Sequence, residues 1–289
     1  MIPSNKQPSI AVVHLIWIPF GINLFQSFIQ SYRKYTSGYP HVLILLFNGV
    51  KSEEDTIPYH QYAKAQGIEY ISYYRSNGFD LEAYAWLVPQ IEVDYLLFLN
   101  SYCELMAENW LRKYLEVMEK EERVGMVGAT ATYESYYSSL LFDHPWQWNM
   151  KATFRENYRK YKLLIKTILL YRFYFKPFPN PHIRTNTFFI SRDVWRSITL
   201  RVPKTKLQAY LIESGRRGLT RQLLSKNLQV LVMDKFGTYY PVSQWHKSQT
   251  FWIDDQKNLL VSDNQTRRFS KASRLEQQKL TFKAWGMHK

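Results

Sequence analysis

Cysteine is almost absent from this sequence of 289 residues, which contains Cys103 and no second thiol. No disulfide bond can therefore form within the chain, and the cysteine content indicates no oxidising compartment. Long apolar runs are missing too: the stretch IAVVHLIWIPF is too short to cross a bilayer and contains His14. No basic segment precedes it, so we expect neither a signal peptide nor a membrane anchor, and a cytoplasmic location.

The phosphate-binding motifs of two large enzyme classes are also missing. No G-x-G-x-x-G follows the first apolar run, and no G-x-x-x-x-G-K-[ST] occurs anywhere in the chain. Their absence argues against a dinucleotide-binding dehydrogenase and against a P-loop NTPase. Any phosphate group that this chain binds must be held by other residues.

Basic and aromatic residues are plentiful. The formal net charge is +14, which attracts an acidic partner such as nucleic acid, an anionic lipid surface or a diphosphate. Aromatic residues make up 17% of the chain, and they suit either stacking on sugar rings or a tyrosine-rich core and surface. The sequence contains no RRM, KH or zinc signature, so we expect no nucleic-acid partner.

Short apolar runs alternate with amphipathic stretches through most of the chain, which is typical of βα units that build a mostly parallel sheet. The predicted strands are 9–17, 41–48, 68–73, 93–100, 124–130, 183–190 and 228–234. The predicted helices are 20–35, 55–66, 79–91, 107–121, 204–214 and 218–227. We therefore predict an α/β fold with a nucleotide-binding sheet flanked by helices, in one domain over residues 1–250. Residues 251–289 are predicted to be a polar extension that packs on this domain.

The βα pattern lapses at about residues 135–182, where the sequence KATFRENYRKYKLLIKTILLYRFYFKPFPNP is rich in basic and aromatic residues. Two interpretations are open for this basic aromatic insert. A helix of this composition can lie on an anionic membrane surface, or it can be a solvated helix that covers the sheet.

Ligands of α/β sheets bind beyond the carboxyl ends of the strands, so the residues that follow each strand are candidate site residues. After the fourth predicted strand comes FLNSYCELMAENWL, residues 98–111. It resembles the segment of family 2 type GT-A glycosyltransferases, including rhamnan-synthesis-like proteins, in which a strand ends in LNSD and a Trp-Leu pair follows. The matching residues are Leu99, Asn100, Ser101, Trp110 and Leu111. Tyr102 stands where that family usually places the second acid of its D-x-D motif.

The resemblance implies a GT-A fold and a donor site at the carboxyl edge of the sheet. The donor-binding residues that it implies are Asn48, Gly78, Asp80, Asn100, Ser101 and Tyr102. For Asp80 a second interpretation is open, since an aspartate at this point can cap the helix that starts there.

Glu213 corresponds to the catalytic base of these enzymes, which takes the proton from the acceptor hydroxyl. Arg184 and Asn186 correspond to groups that bind the acceptor or phosphate oxygens. His246 stands where some of these enzymes have a metal or phosphate ligand, and Glu104 is a second candidate metal ligand. The resemblance implies a divalent cofactor, Mn²⁺ or Mg²⁺, whereas the phenol of Tyr102 is a poor ligand for such an ion.

The expected function is inverting hexosyl transfer from a nucleoside diphosphate sugar to a carbohydrate or lipid-linked acceptor. Bacterial surface or exopolysaccharide synthesis is the pathway that the resemblance implies, with the basic aromatic insert holding the enzyme peripherally on the inner membrane. Tyr102 motivates an alternative, a degenerate GT-A protein that binds a sugar nucleotide or glycan without catalysis.

Overall fold

The computed structural model describes residues 7–143 and 152–286. Its strands are β1 (Ile10–Trp17), β2 (Val42–Asn48), β3 (Ile71–Arg75), β4 (Tyr95–Leu99), β5 (Glu104–Leu105), β6 (Val124–Gly128), β7 (Ala131–Thr132), β8 (His182–Ile183), β9 (Thr187–Ser191), β10 (Gln229–Met233), β11 (Tyr239–Pro241) and β12 (Val261–Ser262). Its helices are α1 (Ile22–Lys34), α2 (Ile57–Ala65), α3 (Asp80–Leu87), α4 (Trp110–Lys120), α5 (Tyr136–Asp143), α6 (Phe154–Tyr174), α7 (Arg192–Arg196), α8 (Lys206–Ser214), α9 (Leu219–Ser225), α10 (Asn264–Lys271) and α11 (Arg274–Trp285). Short 3-10 helices lie at Ile18–Phe20, Glu53–Thr56, Val88–Gln90 and Val242–Ser248.

Eight strands of the described residues form one sheet in the order β11-β10-β6-β9-β4-β1-β2-β3. Neighbouring strands from β3 to β4 run parallel, as do β6 and β10, whereas β9 is antiparallel to β4 and β6, and β11 is antiparallel to β10. The predicted α/β class, with a mostly parallel sheet flanked by helices, is confirmed. Since the parallel strands share one direction, their carboxyl ends lie at one edge, where ligands of such sheets bind.

The two faces of the sheet bury two separate apolar cores, because side chains alternate along each strand. In β1, Ala11, Val13 and Leu15 face the core beneath α3 and α9, whereas Ile10 and Val12 face the core beneath α1, α2 and α4. Strands buried on both faces read as nearly continuous apolar runs, as β1 does apart from His14. A chain of this length can therefore cover its central strands completely, and the carboxyl edge is left for polar chemistry.

One predicted strand is wrong in detail. The segment 183–190 forms β8 and β9, with a loop between them, because the backbone there bonds outside the main sheet. The amide of Arg184 donates to the carbonyl of Thr130 at 3.1 Å, and the amide of Thr185 donates to the carboxylate of Glu213 at 2.9 Å. The loop therefore joins the sheet to the end of α8.

Within the basic aromatic insert, residues 144–151 lie outside the described residues, and the described part contains α5 and α6. Asn157 is buried in α6, but many apolar residues of this helix are solvent-exposed, including Phe154 at 74% and Phe173 at 71%. No helix of the described ranges is both long and apolar enough to span a membrane.

Residues 251–286 bring apolar side chains to both cores. Phe251, Trp252 and Trp285 are buried in one core, and Leu260 and Val261 in the other. β12 pairs with β5 in antiparallel register, with Val261 opposite Leu105. The carboxy-terminal segment thus reaches the loop that follows β4, where the candidate site lies.

Candidate functional site

An open pocket lies at the carboxyl edge of the sheet. It has a volume of about 430 Å³ and is lined by Trp17, Phe20, residues 78–80 and residues 100–102. These residues follow β1, β3 and β4, which the parallel topology brings together. Ligand pockets of proteins commonly measure about 300–1,000 Å³, and their walls are mainly apolar and aromatic with a few polar groups. The pocket therefore has the size and character of a small-molecule site.

The turn at Gly78 forms one wall. Gly78 has a φ of +124°, and a Cβ at this position would lie 2.8 Å from Oε2 of Glu82. Both observations favour glycine, because other residues rarely adopt this backbone region and a Cβ would force the carboxylate of Glu82, which is paired with Arg75, to move. Asn48 holds the turn, since its Nδ2 donates to the carbonyl of Gly78 at 2.8 Å and its Oδ1 accepts from the amide of Gly49 at 3.2 Å. Asn48 is fully buried and positions this turn, and its predicted direct contact with a donor stays a prediction.

The loop after β4 forms the opposite wall. Oδ1 of Asn100 accepts from the amide of Tyr102 at 3.1 Å, which fixes the bend. The hydroxyl of Ser101 donates to the carbonyl of Leu15 and accepts from the amide of Trp17, both at 2.9 Å. Ser101 therefore ties the loop to β1 with its side chain and lines the pocket without a free hydroxyl. Asn100 and Tyr102 lie where the sequence placed them.

The pocket walls are aromatic on the side of β1. The ring of Phe20 lies 4.9 Å from the ring of Tyr102, and Phe20 is 45% exposed. Trp17 and Phe79 add two further rings. Exposed rings of this kind stack on flat or apolar ligand surfaces. Pro19, Phe20 and Gly21 follow a strand that reaches the binding edge, which is the signal by which this wall could have been found from sequence.

One carboxyl group of the pocket, that of Asp80, is affected by a second carboxylate. Asp80 is the first residue of α3, and burial, followed by the negative charge of Glu213, raises its pKa to about 6. Asp80 does not cap the helix: the residue that precedes it, Phe79, is the N-cap, and the carboxylate of Glu82 accepts from the amide of Phe79 at 3.3 Å. An aspartate whose charge is destabilised by its surroundings and that lines a pocket is a candidate for contact with a ligand.

Glu213 is held in one orientation at the end of α8. Its Oε1 accepts from the amide of Thr185 at 2.9 Å and from the hydroxyl of Thr185 at 3.2 Å. Both bonds use the same oxygen, which leaves Oε2 to accept a proton or a ligand hydroxyl. Burial, and then the charge of Glu213, also raise the pKa of Tyr136, whose ring stacks on Tyr210 at 4.5 Å. Tyr136 therefore stays protonated beside this carboxylate.

Arg267 in α10 reaches the loop after β4, although it follows that loop by more than 160 residues. Its guanidinium donates to the carbonyl of Tyr102 at 3.0 Å and forms an ion pair with Glu104 at 2.9 Å. Its positive charge opposes the effects of burial and of Asp80, which raise the pKa of Tyr102. No local pattern of residues points to Arg267, because only the fold brings α10 to this loop.

The residues present do not fit a divalent metal ion. Mn²⁺ and Mg²⁺ require several hard oxygen ligands, usually carboxylates. Tyr102 supplies a phenol, the carboxylate of Glu104 is paired with Arg267, and Asp80 is the carboxylate that remains at the pocket. Within residues 7–143 and 152–286, no group of three or more His, Cys, Asp or Glu side chains could hold a metal.

Arg184 does not point into open solvent. It forms an ion pair with the buried Asp263 at 2.7 Å, donates to the hydroxyl of Thr130 at 3.3 Å and stacks over the ring of Phe251 at 4.2 Å. Asp263 also caps α10 by accepting from the amide of Thr266 at 2.8 Å. Arg184 therefore anchors the carboxy-terminal segment, and its predicted contact with acceptor or phosphate oxygens stays a prediction.

Asn186 lies on the same side of the sheet, and it is 4% exposed. Its Oδ1 accepts from the hydroxyl of Thr130 at 3.0 Å, and its backbone carbonyl accepts from the amide of Asn100 at 2.9 Å. Its Nδ2 is buried without a hydrogen-bond partner among the described residues. Asn186 thus positions the loop after β4, and its Nδ2 is a spare donor in a buried setting.

His246 is not part of the pocket lining. It lies in the 3-10 helix Val242–Ser248, with its ring 6.5 Å from the ring of Trp285. Burial, and then the charge of Lys247, lower its pKa. The structure therefore gives no common site to His246 and Glu104, the two predicted metal ligands, since Glu104 is engaged with Arg267.

No protein-family model and no curated protein matches this sequence. Among solved structures, the chain is similar to mannosyltransferase PcManGT from Pyrobaculum calidifontis, in complex with GDP-Man and Mn²⁺, at 8% identity and a TM-score of 0.42, over 67% of this chain and 47% of that chain. It is also similar to S. aureus TarS 1-349 in complex with UDP-GlcNAc, at 11% identity and a TM-score of 0.32, over 42% of this chain and 33% of that chain. The chain spans less than half the length of either structure. Likenesses of this size establish no ligand or activity for this chain.

Proposed function

We propose that this chain is a GT-A type glycosyltransferase that moves a hexosyl group from a nucleoside diphosphate sugar to a carbohydrate or lipid-linked acceptor. One observation carries the proposal. The aromatic pocket at the carboxyl edge of the sheet places Asp80 within electrostatic reach of Glu213, a second carboxylate held in a fixed orientation by Thr185. A flat base, a charged diphosphate and a sugar hydroxyl find matching groups in this arrangement.

The aromatic wall is proposed to bind the nucleoside. Trp17, Phe20 and Tyr102 offer ring faces at the open side of the pocket, and base stacking needs no specific polar partner. Arg267 lies beside Tyr102 and is proposed to offset the negative charge that develops on the leaving diphosphate. This assignment gives a cation of the chain the role that a divalent metal would otherwise have, in accordance with a donor set that does not fit Mn²⁺ or Mg²⁺.

Glu213 is proposed to be the general base. Its Oε2 takes the proton of the acceptor hydroxyl as the acceptor oxygen bonds to the anomeric carbon, and the bond from that carbon to the diphosphate oxygen breaks. Attack from the face opposite the leaving group inverts the anomeric centre. Asp80, with a pKa of about 6, is mainly ionised at neutral pH and accepts hydrogen bonds from hydroxyl groups of the donor.

Binding and catalysis are tested separately. Binding is measured by thermal shift with UDP, GDP, dTDP and CMP, each with and without Mn²⁺. One nucleoside diphosphate should raise the midpoint of thermal unfolding, and by the same amount with and without Mn²⁺. Glu213→Gln should then keep this shift and lose about 10²–10⁴-fold in transfer rate, the usual contribution of a general base. The control is Glu122→Gln, which changes an exposed glutamate of the loop before β6. Equal activity of Glu213→Gln and wild type would remove Glu213 from the mechanism.

The alternative is a degenerate protein that binds a sugar nucleotide or glycan without transfer, and Tyr102 at the D-x-D position favours it. Slow hydrolysis of the bound donor separates the two functions, because an active transferase usually cleaves its donor with water. Hydrolysis above background by wild type, and not by Glu213→Gln, would exclude the binding protein.

The setting proposed for the enzyme is bacterial surface or exopolysaccharide synthesis at the cytoplasmic face of the inner membrane. α6 supports the membrane contact, because basic residues such as Arg155, Arg159 and Lys162 alternate with exposed apolar ones along one side. We also propose that residues 1–250 are the catalytic domain and that residues 251–289 are an extension that supplies Arg267 to it. Cosedimentation with anionic vesicles, reduced by Arg159→Gln with Lys162→Gln, tests the membrane contact.

A further inference from the structure

Three cations meet where the end of α6 packs on the turn between α8 and α9. Lys176 follows α6, Arg216 lies in the turn and Arg221 lies in α9. The backbone fixes this arrangement, since the amide of Arg216 donates to the carbonyl of Tyr174 at 2.9 Å. The guanidinium of Arg216 also donates to the carbonyl of Arg172 at 3.1 Å. We refer to Lys176, Arg216 and Arg221 as the cationic cluster.

The buried side chain of Asn180 connects the segment that follows α6 to α8 and α9. Asn180 is 1% exposed, its Nδ2 donates to the carbonyl of Ser214 at 2.8 Å, and its Oδ1 accepts from the guanidinium of Arg221 at 3.3 Å. The cluster is therefore built on a fixed frame. Arg216 is exposed and Lys176 partly exposed, so a ligand can approach from solvent.

No acid balances these charges. Across residues 7–143 and 152–286, none of the three cations forms an ion pair, and Nε of Arg221 is buried without a hydrogen-bond partner. The charge of Arg221, then burial and then Arg216 lower the pKa of Lys176. Burial and then Arg216 lower the pKa of Arg221. The folded chain thus holds three like charges together, and an anion between them would relieve their repulsion.

The cluster adjoins the proposed catalytic base. Ser214, whose carbonyl bonds to Asn180, follows Glu213 directly in α8, and Arg216 is three residues beyond Glu213. Guanidinium groups bind phosphate oxygens through pairs of hydrogen bonds, and a lysine adds a compact positive charge. A phosphate group bound here would therefore lie beside the same end of α8 that carries Glu213.

We propose that Lys176, Arg216 and Arg221 bind a phosphate group of the acceptor, so that the acceptor is a phosphate-linked carbohydrate and not a neutral glycan. The assignment of this phosphate to the acceptor rests on the proposed function, whereas the phosphate site itself does not. The phosphate comes from a lipid-linked acceptor or from a soluble sugar phosphate, and the chemistry that recognises it is the same.

The test compares pyrophosphate binding by wild type and four single variants, using isothermal titration calorimetry. Lys176→Gln and Arg216→Gln each remove one charge from the cluster, and both positions are open to solvent, so the fold should be retained. Arg217→Gln is the matched control, an exposed arginine next to Arg216. Arg267→Gln changes the donor pocket, where pyrophosphate could bind as well. Each cluster variant should bind about tenfold or more weakly, the loss expected for one hydrogen bond to a charged group, and Arg217→Gln should bind as wild type does. Arg267→Gln reports on pyrophosphate binding at the donor pocket, and the loss in the cluster variants should not depend on it.

A second arm identifies the source of the phosphate. Cosedimentation is measured with phosphatidylcholine vesicles that contain or lack phosphatidylglycerol. Weaker vesicle binding by the cluster variants indicates a lipid phosphate, and unchanged vesicle binding with weaker pyrophosphate binding indicates a soluble one. Pyrophosphate binding that is lost in Arg267→Gln and kept in Lys176→Gln and Arg216→Gln would overturn the proposal. So would weaker binding of a random oligonucleotide with no change for pyrophosphate. UDP binding, measured on the same variants, reports separately on the donor site.

Discussion

Replacing Asp80 by asparagine should stabilise the folded protein at neutral pH. Burial and the charge of Glu213 raise the pKa of Asp80 from 3.8 to about 6. An acid whose pKa rises on folding contributes full stability below the pKa of the unfolded chain and loses it as the pH rises through the folded pKa. Wild type should therefore lose the contribution of Asp80 to stability between about pH 3.8 and pH 6. The difference between the two pKa values corresponds to about 3 kcal/mol at most, since Asp80 keeps contact with the solvent of the pocket.

The measurement is urea-induced unfolding of wild type and Asp80→Asn at several pH values from 4 to 8. The variant should gain up to about 3 kcal/mol over wild type at pH 7, and the gain should shrink towards zero near pH 4. Asp255→Asn, which changes an exposed aspartate, should show no comparable gain. Asp80→Asn should also abolish the thermal shift with the nucleoside diphosphate sugar. A variant that is less stable than wild type at pH 7, or a gain that does not depend on pH, would refute the reasoning.

Three further outcomes follow from single contacts. His14 is buried against Phe28, with ring centroids 3.7 Å apart, and burial lowers its pKa to about 3. Below pH 6.5, wild type should therefore lose about 1.4 kcal/mol of unfolding free energy per pH unit because of this residue, and His14→Phe should lack that slope in urea titrations. Gly78→Ala should lower the thermal midpoint and weaken nucleotide binding, because its φ is +124° and a Cβ would meet Glu82, whereas Gly67→Ala, with a φ of +67° and open space, should affect stability alone. Arg267→Gln should slow glycosyl transfer about tenfold or more in the transfer-rate assay used for Glu213→Gln, with Arg268→Gln as the exposed control.

The sheet could be predicted from the sequence because its signals are local. β1, β2 and β4 are continuous apolar runs, and α1 and α4 have one apolar face each, so the residues that follow the strands could be named before the fold was known. Parallel topology then brings those residues to one edge. This is why Gly78, Asp80, Asn100 and Tyr102 all line the pocket.

The contacts that tune the site could not be predicted, because they join distant parts of the chain. Arg267 contacts Glu104 and Asp263 contacts Arg184 from the carboxy-terminal segment, in which β12 pairs with β5. The pattern of polar and apolar residues also cannot show which polar side chains form hydrogen bonds with the backbone. Asn48 is a polar residue at the end of a strand, where ligand-binding residues are expected, yet its side-chain amide holds the Gly78 turn.

The charges near the site argue for a ligand with both hydroxyl and phosphate groups. Arg267 contacts the loop after β4, Asp80 begins α3, and Glu213 and Arg216 lie beside the end of α8. The charge of Glu213 disfavours the ionised form of Asp80, and Arg221 and Arg216 disfavour the charged form of Lys176. Sugar hydroxyls donate to carboxylates and phosphates accept from cations, and each relieves the repulsion that it meets. A ligand that carries both sugar hydroxyls and phosphate groups matches these carboxylates and cations.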